Sequence, residues 1–394
     1  MLALLTLALA APAYDDHGLV LVPPETGPFL GGINAPSVEW DGAAEQFVMY
    51  FESAASTLEV PEDCYSYYRI GRATSPDGQS WTIDESFSFE PDHASDAGSY
   101  RCAATQPAVL FDGATWHLFF TGGTTDEGRG RNEPSGILHA TSADGLDWSV
   151  AAAPVVPPEA NGIGLASATL VNGTIYVVYS QYPHLMLATA PASSDTWTLA
   201  TDPVIDNAAL GDWAGTWAFG PSIGCTEEGA FTMTFGGDST SAVRTIAAAT
   251  SADAAAWTVE PPVTIGSLDS AVINHWDVLA IGGEGSALWY SRTDETTGLK
   301  AIGLGTSGDP SGHRRGRSCP DPWPERPDDT GDTGGASDTG DSGSGDTAVG
   351  DSGEPGDEPD TGDKKAGEGG CGCQTAPGAG LASLVLVAFA RRRR

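Results

Sequence analysis

The feature that most constrains this chain is a phrase repeated five times between residues 30 and 306. It reads APSVEWDG at 35–42, QPAVLFDG at 106–113, SATLVNG at 167–173 and GPSIGCTEEG at 220–229, with a weaker copy, SAVINHWD, at 270–277. The Pro or Ala of each copy falls at 36, 107, 168, 221 and 271. Each copy precedes an alternating, aromatic-rich run: FVMYFE, WHLFFTGG, IYVVYSQ, FTMTFGG and VLAIGG. Alternation is the signature of a half-buried strand. The Asp-Gly and Asn-Gly steps between the runs suit two-residue hairpins, because Gly and Asn tolerate positive φ. A second phrase closes four of the units: RATSPDGQSW (72–81), HATSADGLDW (139–148), LATAPASSDTW (187–197) and AATSADAAAW (248–257). There a third strand ends, an Asp side chain caps a tight turn, and a Trp opens a fourth strand. Unit five ends with ALWYSRT and LKAIGLG.

A four-stranded antiparallel unit of roughly 50 to 70 residues cannot bury both of its faces alone, whereas five set radially can. The expected fold is therefore all-β: a five-bladed β-propeller of four-stranded antiparallel blades over residues 14–320. The early segment GLVLVPP (18–24) is expected to pair with the last blade and close the ring. No stretch shows sustained helical periodicity. Trp81, Trp148, Trp197 and Trp257 read as packing between blades rather than as ligand contacts.

Both ends read as addresses. Residues 1–13, MLALLTLALAAPA, form an apolar run closed by a small-residue site, although no basic residue precedes it. This is expected to be a signal peptide cleaved before Tyr14. Export permits disulfides. Cys371 and Cys373 lie in the tail, which leaves Cys64, Cys102, Cys225 and Cys319 with three possible pairings. Proximity of blades along the chain favours Cys64–Cys102 and Cys225–Cys319. Residues 321–370 form an acidic Gly/Ser/Thr/Asp linker, too poor in apolar side chains to fold. Residues 371–394 hold Cys371, Cys373, an apolar stretch and Arg391–Arg394. The apolar stretch, at about 1.5 Å per residue, is short for a bilayer core of roughly 30 Å. The order of parts resembles the MYXO-CTERM sorting signal of delta-proteobacteria. That resemblance implies processing near Cys371 or Cys373 and display on the cell surface; a plain tail anchor is the alternative.

Charge excludes several classes of function. Asp and Glu number 53 against 18 Lys and Arg, and before residue 319 there is a single lysine, Lys300. Such a chain does not hold a nucleic-acid backbone, which needs clustered cations. Membrane contact is confined to the C-terminal segment. No EF-hand-like loop is present, so calcium is left open without a motif, and no other cofactor is expected. The seven histidines show no metal-binding spacing. His275 reads as a turn residue. A monomer is the simplest assembly.

The repeat resembles the five-bladed propellers of glycoside hydrolase families 32, 43, 62 and 130. The specific pieces are the x-Pro-x-Val inner strands and the S-x-D-G-x-x-W turns, which narrowly miss the sialidase Asp-box. The resemblance implies a sugar pocket where the inner strands converge. In those families one Asp precedes Pro on the first inner strand, a Glu often precedes Gly-Pro later, and a middle blade carries another Asp. The matching positions here are Ala35 beside Asn34, then Phe219, then Ser167. None is a carboxylate, and hydrolysis usually needs two. Displaced catalytic candidates are Asp212, Asp269 and Glu159. Binding candidates are Asn34, Arg101, Gln106, Ser167, Trp213, Trp217 and Phe219; the two Trp residues suit either stacking on a sugar face or packing against a blade. His93 lies in the loop with Arg101, and the polar loop 124–135 reads as a lid or a plain excursion. The expected function is glycan recognition by a surface-anchored, glycosidase-like propeller. An active hydrolase with displaced carboxylates and a protein-binding scaffold remain the alternatives.

Overall fold

The computed structural model describes residues 13–54, 67–92, 100, 102–123, 135–159, 162–226, 229–239, 244–268, 273–282, 285–308 and 316–319. Cys64, His93, Arg101, Asp269, most of the 124–135 loop and everything from residue 320 onward lie outside these.

The described residues form five antiparallel blades. Blade 1 comprises Asn34–Asp41, Gln46–Ala54, Tyr68–Ser75 and Thr82–Ile83. Blade 2 comprises Ala103–Phe111, Trp116–Gly123, Ser135–Ser142 and Ser149–Val150. Blade 3 runs through Ile163–Val171, Thr174–Gln181, His184–Pro191 and Thr198–Leu199. Blade 4 runs through Trp217–Cys225, Phe231–Asp238, Arg244–Ser251 and Thr258–Pro262. Blade 5 has His275–Gly282 innermost, then Gly285–Thr293 and Lys300–Ser307. Its fourth strand comes from the other end of the chain: Ala13–Leu21 pairs antiparallel with Lys300–Ser307, Leu21 opposite Ile302. The expected closure of the ring is present.

Two copies of the repeat align differently from the sequence phrase. In blade 3 it is Ala166, not Ala168, that stands where Pro36, Pro107 and Pro221 stand, as the register at Ser167 shows. In blade 5 the inner strand begins at His275, so Trp276 rather than Ala271 takes that place. The run VLAIGG is then the end of the inner strand, not a second strand. The misreading has a physical source: blade 5 borrows its outer strand, so its own segment holds only three.

Strand alternation builds the core. Phe47, Met49 and Phe51 face Trp289 and Leu304 of blade 5, while Val48 and Tyr50 on the same strand face Val109, Leu118 and Phe120 of blade 2. Five such clusters fill the five gaps between blades. The Ser/Asp/Trp turns of blades 1, 2 and 4 serve them as expected, whereas in blade 3 the Thr196 amide donates to Ser194 Oγ at 3.1 Å. Asp77 accepts from the Gln79 and Ser80 amides at 2.8 and 2.7 Å, and Asp144 and Asp253 do the same in blades 2 and 4. Gly78 O accepts from the indoles of both Trp81 and blade 5's Trp289 at 2.9 Å, and Tyr50 Oη donates to Gly145 O in the next blade.

Candidate functional site

Four inner strands open with the same local distortion. Ala35, Gln106, Leu165 and Gly220 have φ of 47°, 52°, 52° and 57°, and each sits in a register shift of its strand. A left-handed conformation costs a non-glycine residue about 1 kcal/mol, and such strain concentrates at working sites. Here it turns the strand starts toward the axis. Together with His275 they ring the mouth of an axial cavity of about 30 Å³. A water needs roughly 10–15 Å³ on this scale, so the cavity has room for about two.

Beneath the mouth the five strands are tied by a closed belt of side-chain-to-amide hydrogen bonds. Asp277 Oδ2 accepts from Val38 N (2.7 Å), Ser37 Oγ from Val109 N (2.9 Å) and Gln106 Oε1 from Leu165 N (3.0 Å). Ser167 Oγ accepts from Ile223 N (3.0 Å) and Ser222 Oγ from Val278 N (2.9 Å). Each side chain reaches the next blade. Blade 2 carries Ala108 where the others carry Ser or Asp, and Gln106 substitutes from two residues earlier.

The floor is a guanidinium. Residues 316–319 enter the base of the axis, where Ser318–Cys319 runs parallel to blade 3's inner strand. The buried Arg317 side chain points back toward the mouth. It donates to Val38 O (3.3 Å), Ser167 Oγ (3.4 Å), Ile223 O (2.7 Å) and Val278 O (3.1 Å), and it pairs with buried Asp277. Its amide donates to Glu39 Oε1 at 3.2 Å, and Ser318 Oγ donates to Phe111 O. All five inner strands therefore touch this segment. The Cys225–Cys319 disulfide fixes it to blade 4, as the chain layout favoured. Cys102 is also disulfide-bonded; its expected partner, Cys64, is outside the described residues. Burial pushes the Glu39 carboxyl up to about 7, against the pull of Arg317 and of the Trp40, Arg317 and Phe111 amides.

A polar chain lies beside the mouth. Asn34 Nδ2 donates to Glu52 Oε1 at 3.1 Å, so Asn34 Oδ1 accepts from His275 Nδ1 at 3.2 Å. Thr105 donates to the other oxygen of Glu52, which is buried. Farther out, between blades 2 and 3, Asp112, His117, His139 and Asp195 form a second chain with steps of 3.2, 3.0 and 3.4 Å. Burial, then the neighbouring His117, lowers His139 to about 4.

Of the residues singled out from sequence, Gln106, Ser167 and Ala35 line the cavity, and Asn34 orients His275, which lines it too. His275 opens an inner strand and is not a turn residue. Trp213 packs on Phe235 (5.8 Å), Trp217 on Phe219 (4.8 Å) and Phe219 on Trp276 (5.9 Å), with Arg244 over the Phe219 ring at 4.7 Å. None of Trp213, Trp217 and Phe219 lines the cavity. Asp212 is exposed on a short 3-10 turn, and Glu159 ends a strand paired with Ser135. Sequence reading missed Glu52, Asp277 and Arg317. Asp277 carried a weak signal, since it ends the fifth phrase, but the shifted alignment hid its place.

The cavity wall contains one acid, Asp277, and Arg317 neutralises it from below. Among the described residues no second carboxylate faces it across the cavity. The guanidinium lies between Ser167 and Asp277.

No protein-family model and no curated protein sequence matches this chain. Solved structures do resemble it. A family 117 glycoside hydrolase from Zobellia galactanivorans is 12% identical over 75% of this chain and 93% of its own, with a TM-score of 0.56. The catalytic domain of a family 62 α-L-arabinofuranosidase from Coprinopsis cinerea is 12% identical, covering 75% and 97%, with a TM-score of 0.52. A family 130 structure, from a family of mannoside phosphorylases that contains hydrolases of β-1,2 mannosidic linkages, is 14% identical, covering 78% and 96%, with a TM-score of 0.56. The fold is the glycoside hydrolase propeller. At such identity the likeness speaks for architecture alone. In this glycoside hydrolase-like propeller the axial site is built from neutral donors above an internal ion pair, so its chemistry must be read from its own residues.

Proposed function

We propose that this chain is an exported, surface-held propeller that binds glycans at its axial mouth without cleaving them. The observation that carries the reading is Asp277: the one acid in the cavity wall is buried and committed to Arg317, Ser222 and Val38. Acid–base cleavage needs a proton donor and a base that can change charge during the reaction, and a carboxylate locked to a guanidinium is poorly placed for either. The neighbours' families support a glycan as ligand. The leader-like residues 1–13, the Cys225–Cys319 disulfide, and the terminal cysteines followed by Arg391–Arg394 support export and surface attachment.

The test is retention of the purified protein on a broad glycan panel, with product analysis of every hit. Retention of intact glycans is expected. Shortened products at enzymatic turnover would overturn the non-cleaving assignment. A second reading, a scaffold for protein partners, is favoured by the cavity's volume, which does not admit a sugar ring. It takes over if no glycan is retained.

A further inference from the structure

The cavity wall is unusual in having donors to spare and no free charge. Gln106 Oε1 accepts from both Thr121 Oγ1 (2.9 Å) and Leu165 N, which fixes the amide and leaves its NH₂ without a partner among the described residues. Ser37 and Ser167 hydroxyls accept from backbone amides, and neither has an acceptor for its own proton there. Trp276 also lines the cavity, with its ring packed on Phe219 in the gap between blades 4 and 5. A buried donor without an acceptor is costly, so this wall favours a group that only accepts. The remaining lining is prolyl rings and alanine methyls, such as Pro36, Pro107 and Ala166.

We propose that the axial cavity is a socket for an acetyl substituent of a glycan, N-linked or O-linked on the sugar. This rests on the glycan-binding reading and narrows it. An acetyl group is a carbonyl oxygen, an acceptor with no proton to place, beside one methyl. It satisfies the unpaired donors on one side and the proline and alanine surfaces on the other. Its three heavy atoms match a space of about two waters, whereas the pyranose ring stays outside at the mouth. A hydroxymethyl arm is a poorer match, because it brings a further proton to a wall whose Gln106, Ser37 and Ser167 donors already lack acceptors. An ammonium group adds only donors to that same wall. A carboxylate would bring an unpaired charge beside Asp277, whose partner is already spent.

The test compares matched ligands on the full protein: chitotetraose, its de-N-acetylated form and cellotetraose, with acetylated and chemically deacetylated xylan as the O-linked pair. At least tenfold tighter binding to an acetylated member over its deacetylated counterpart is expected, and which pair shows it separates the N-linked from the O-linked source. The variant Gln106→Glu keeps the acceptor for Thr121 and Leu165 while replacing the free NH₂ by an oxygen. It should erase the preference while the far-UV spectrum, unchanged, shows the fold retained. Equal binding of acetylated and deacetylated ligands would overturn the socket while leaving glycan binding standing. A Gln106→Glu protein that keeps its preference would also overturn it. Binding of no ligand in this set or the wider panel would remove both readings together.

Discussion

Glu39 and His139 are buried in different parts of the ring, and their proton equilibria are displaced in opposite senses. Glu39 is held up from 4.5 to about 7. In the interval between, the folded state keeps a proton that the unfolded chain has released, so folding stability is lost as pH rises. His139 is held down from 6.5 to about 4. There the unfolded chain takes up a proton that the folded state refuses, so stability is lost as pH falls. Each displacement corresponds to about 3 kcal/mol across its window. The windows overlap almost completely, and the slopes cancel. The turn aspartates do not disturb this, since Asp77 is lowered to about 2 and titrates below the overlap. Wild-type stability from these groups should therefore be nearly flat from pH 4.5 to 6.5. Glu39→Gln exposes the histidine slope, and its stability should rise with pH by about 3 kcal/mol. His139→Gln exposes the carboxyl slope and should fall by a similar amount. The assay is urea unfolding followed by tryptophan fluorescence at half-unit pH steps. Two variants with the same flat profile as wild type would refute the reasoning, whatever their absolute stabilities.

Arg317→Met leaves Asp277 buried without its partner and should cost about 3 to 5 kcal/mol; Arg317→Met with Asp277→Asn should recover part of the loss, and a single-variant loss under about 1 kcal/mol would show that Arg317 does not hold the inner strands together. Replacing Cys225 and Cys319 by Ser opens a cross-link spanning 94 residues and should lower stability by about 3 to 5 kcal/mol in the same urea assay. Gly145 has φ of 72° and a Cβ there would lie 2.9 Å from Tyr50 Oη, so Gly145→Ala should cost at least about 1 to 2 kcal/mol. Ala254→Gly at the matching turn of blade 4 should change little, because relief at its φ of 59° offsets a lost buried methyl.

The blades were legible because alternation, Asp-Gly turns and the Ser/Asp/Trp phrase are local signals. The phrase even reports its chemistry: Ser75, Asp77 and Trp81 make the bonds their types suggest. Blade 5 was misphased because its fourth strand lies more than 280 residues away in Ala13–Leu21, and no local pattern records such a partner. The site was legible only where it coincided with the repeat, as at Gln106 and Ser167. From their neighbours in sequence Trp213 and Trp217 suited either sugar stacking or blade packing, and they pack on Phe235 and Phe219 of blade 4's own strands. Arg317 had no signal at all. It follows the last repeat in a segment with no periodicity, and its meaning comes from five strands scattered between residues 34 and 282.

The two ends of the described chain meet mechanical load differently. A pull on the N-terminal strand acts on the outermost strand of blade 5, whose ladder to Lys300–Ser307 can unzip bond by bond. A pull beyond Cys319 reaches blade 4 through a covalent bond, and Arg317 spreads it over the inner strands of the whole ring. Cys319 also lies at the end of the axis away from Gln106 and His275. Force carried by that end is thus shared among inner strands through Arg317 and the disulfide, at the end of the axis away from the mouth.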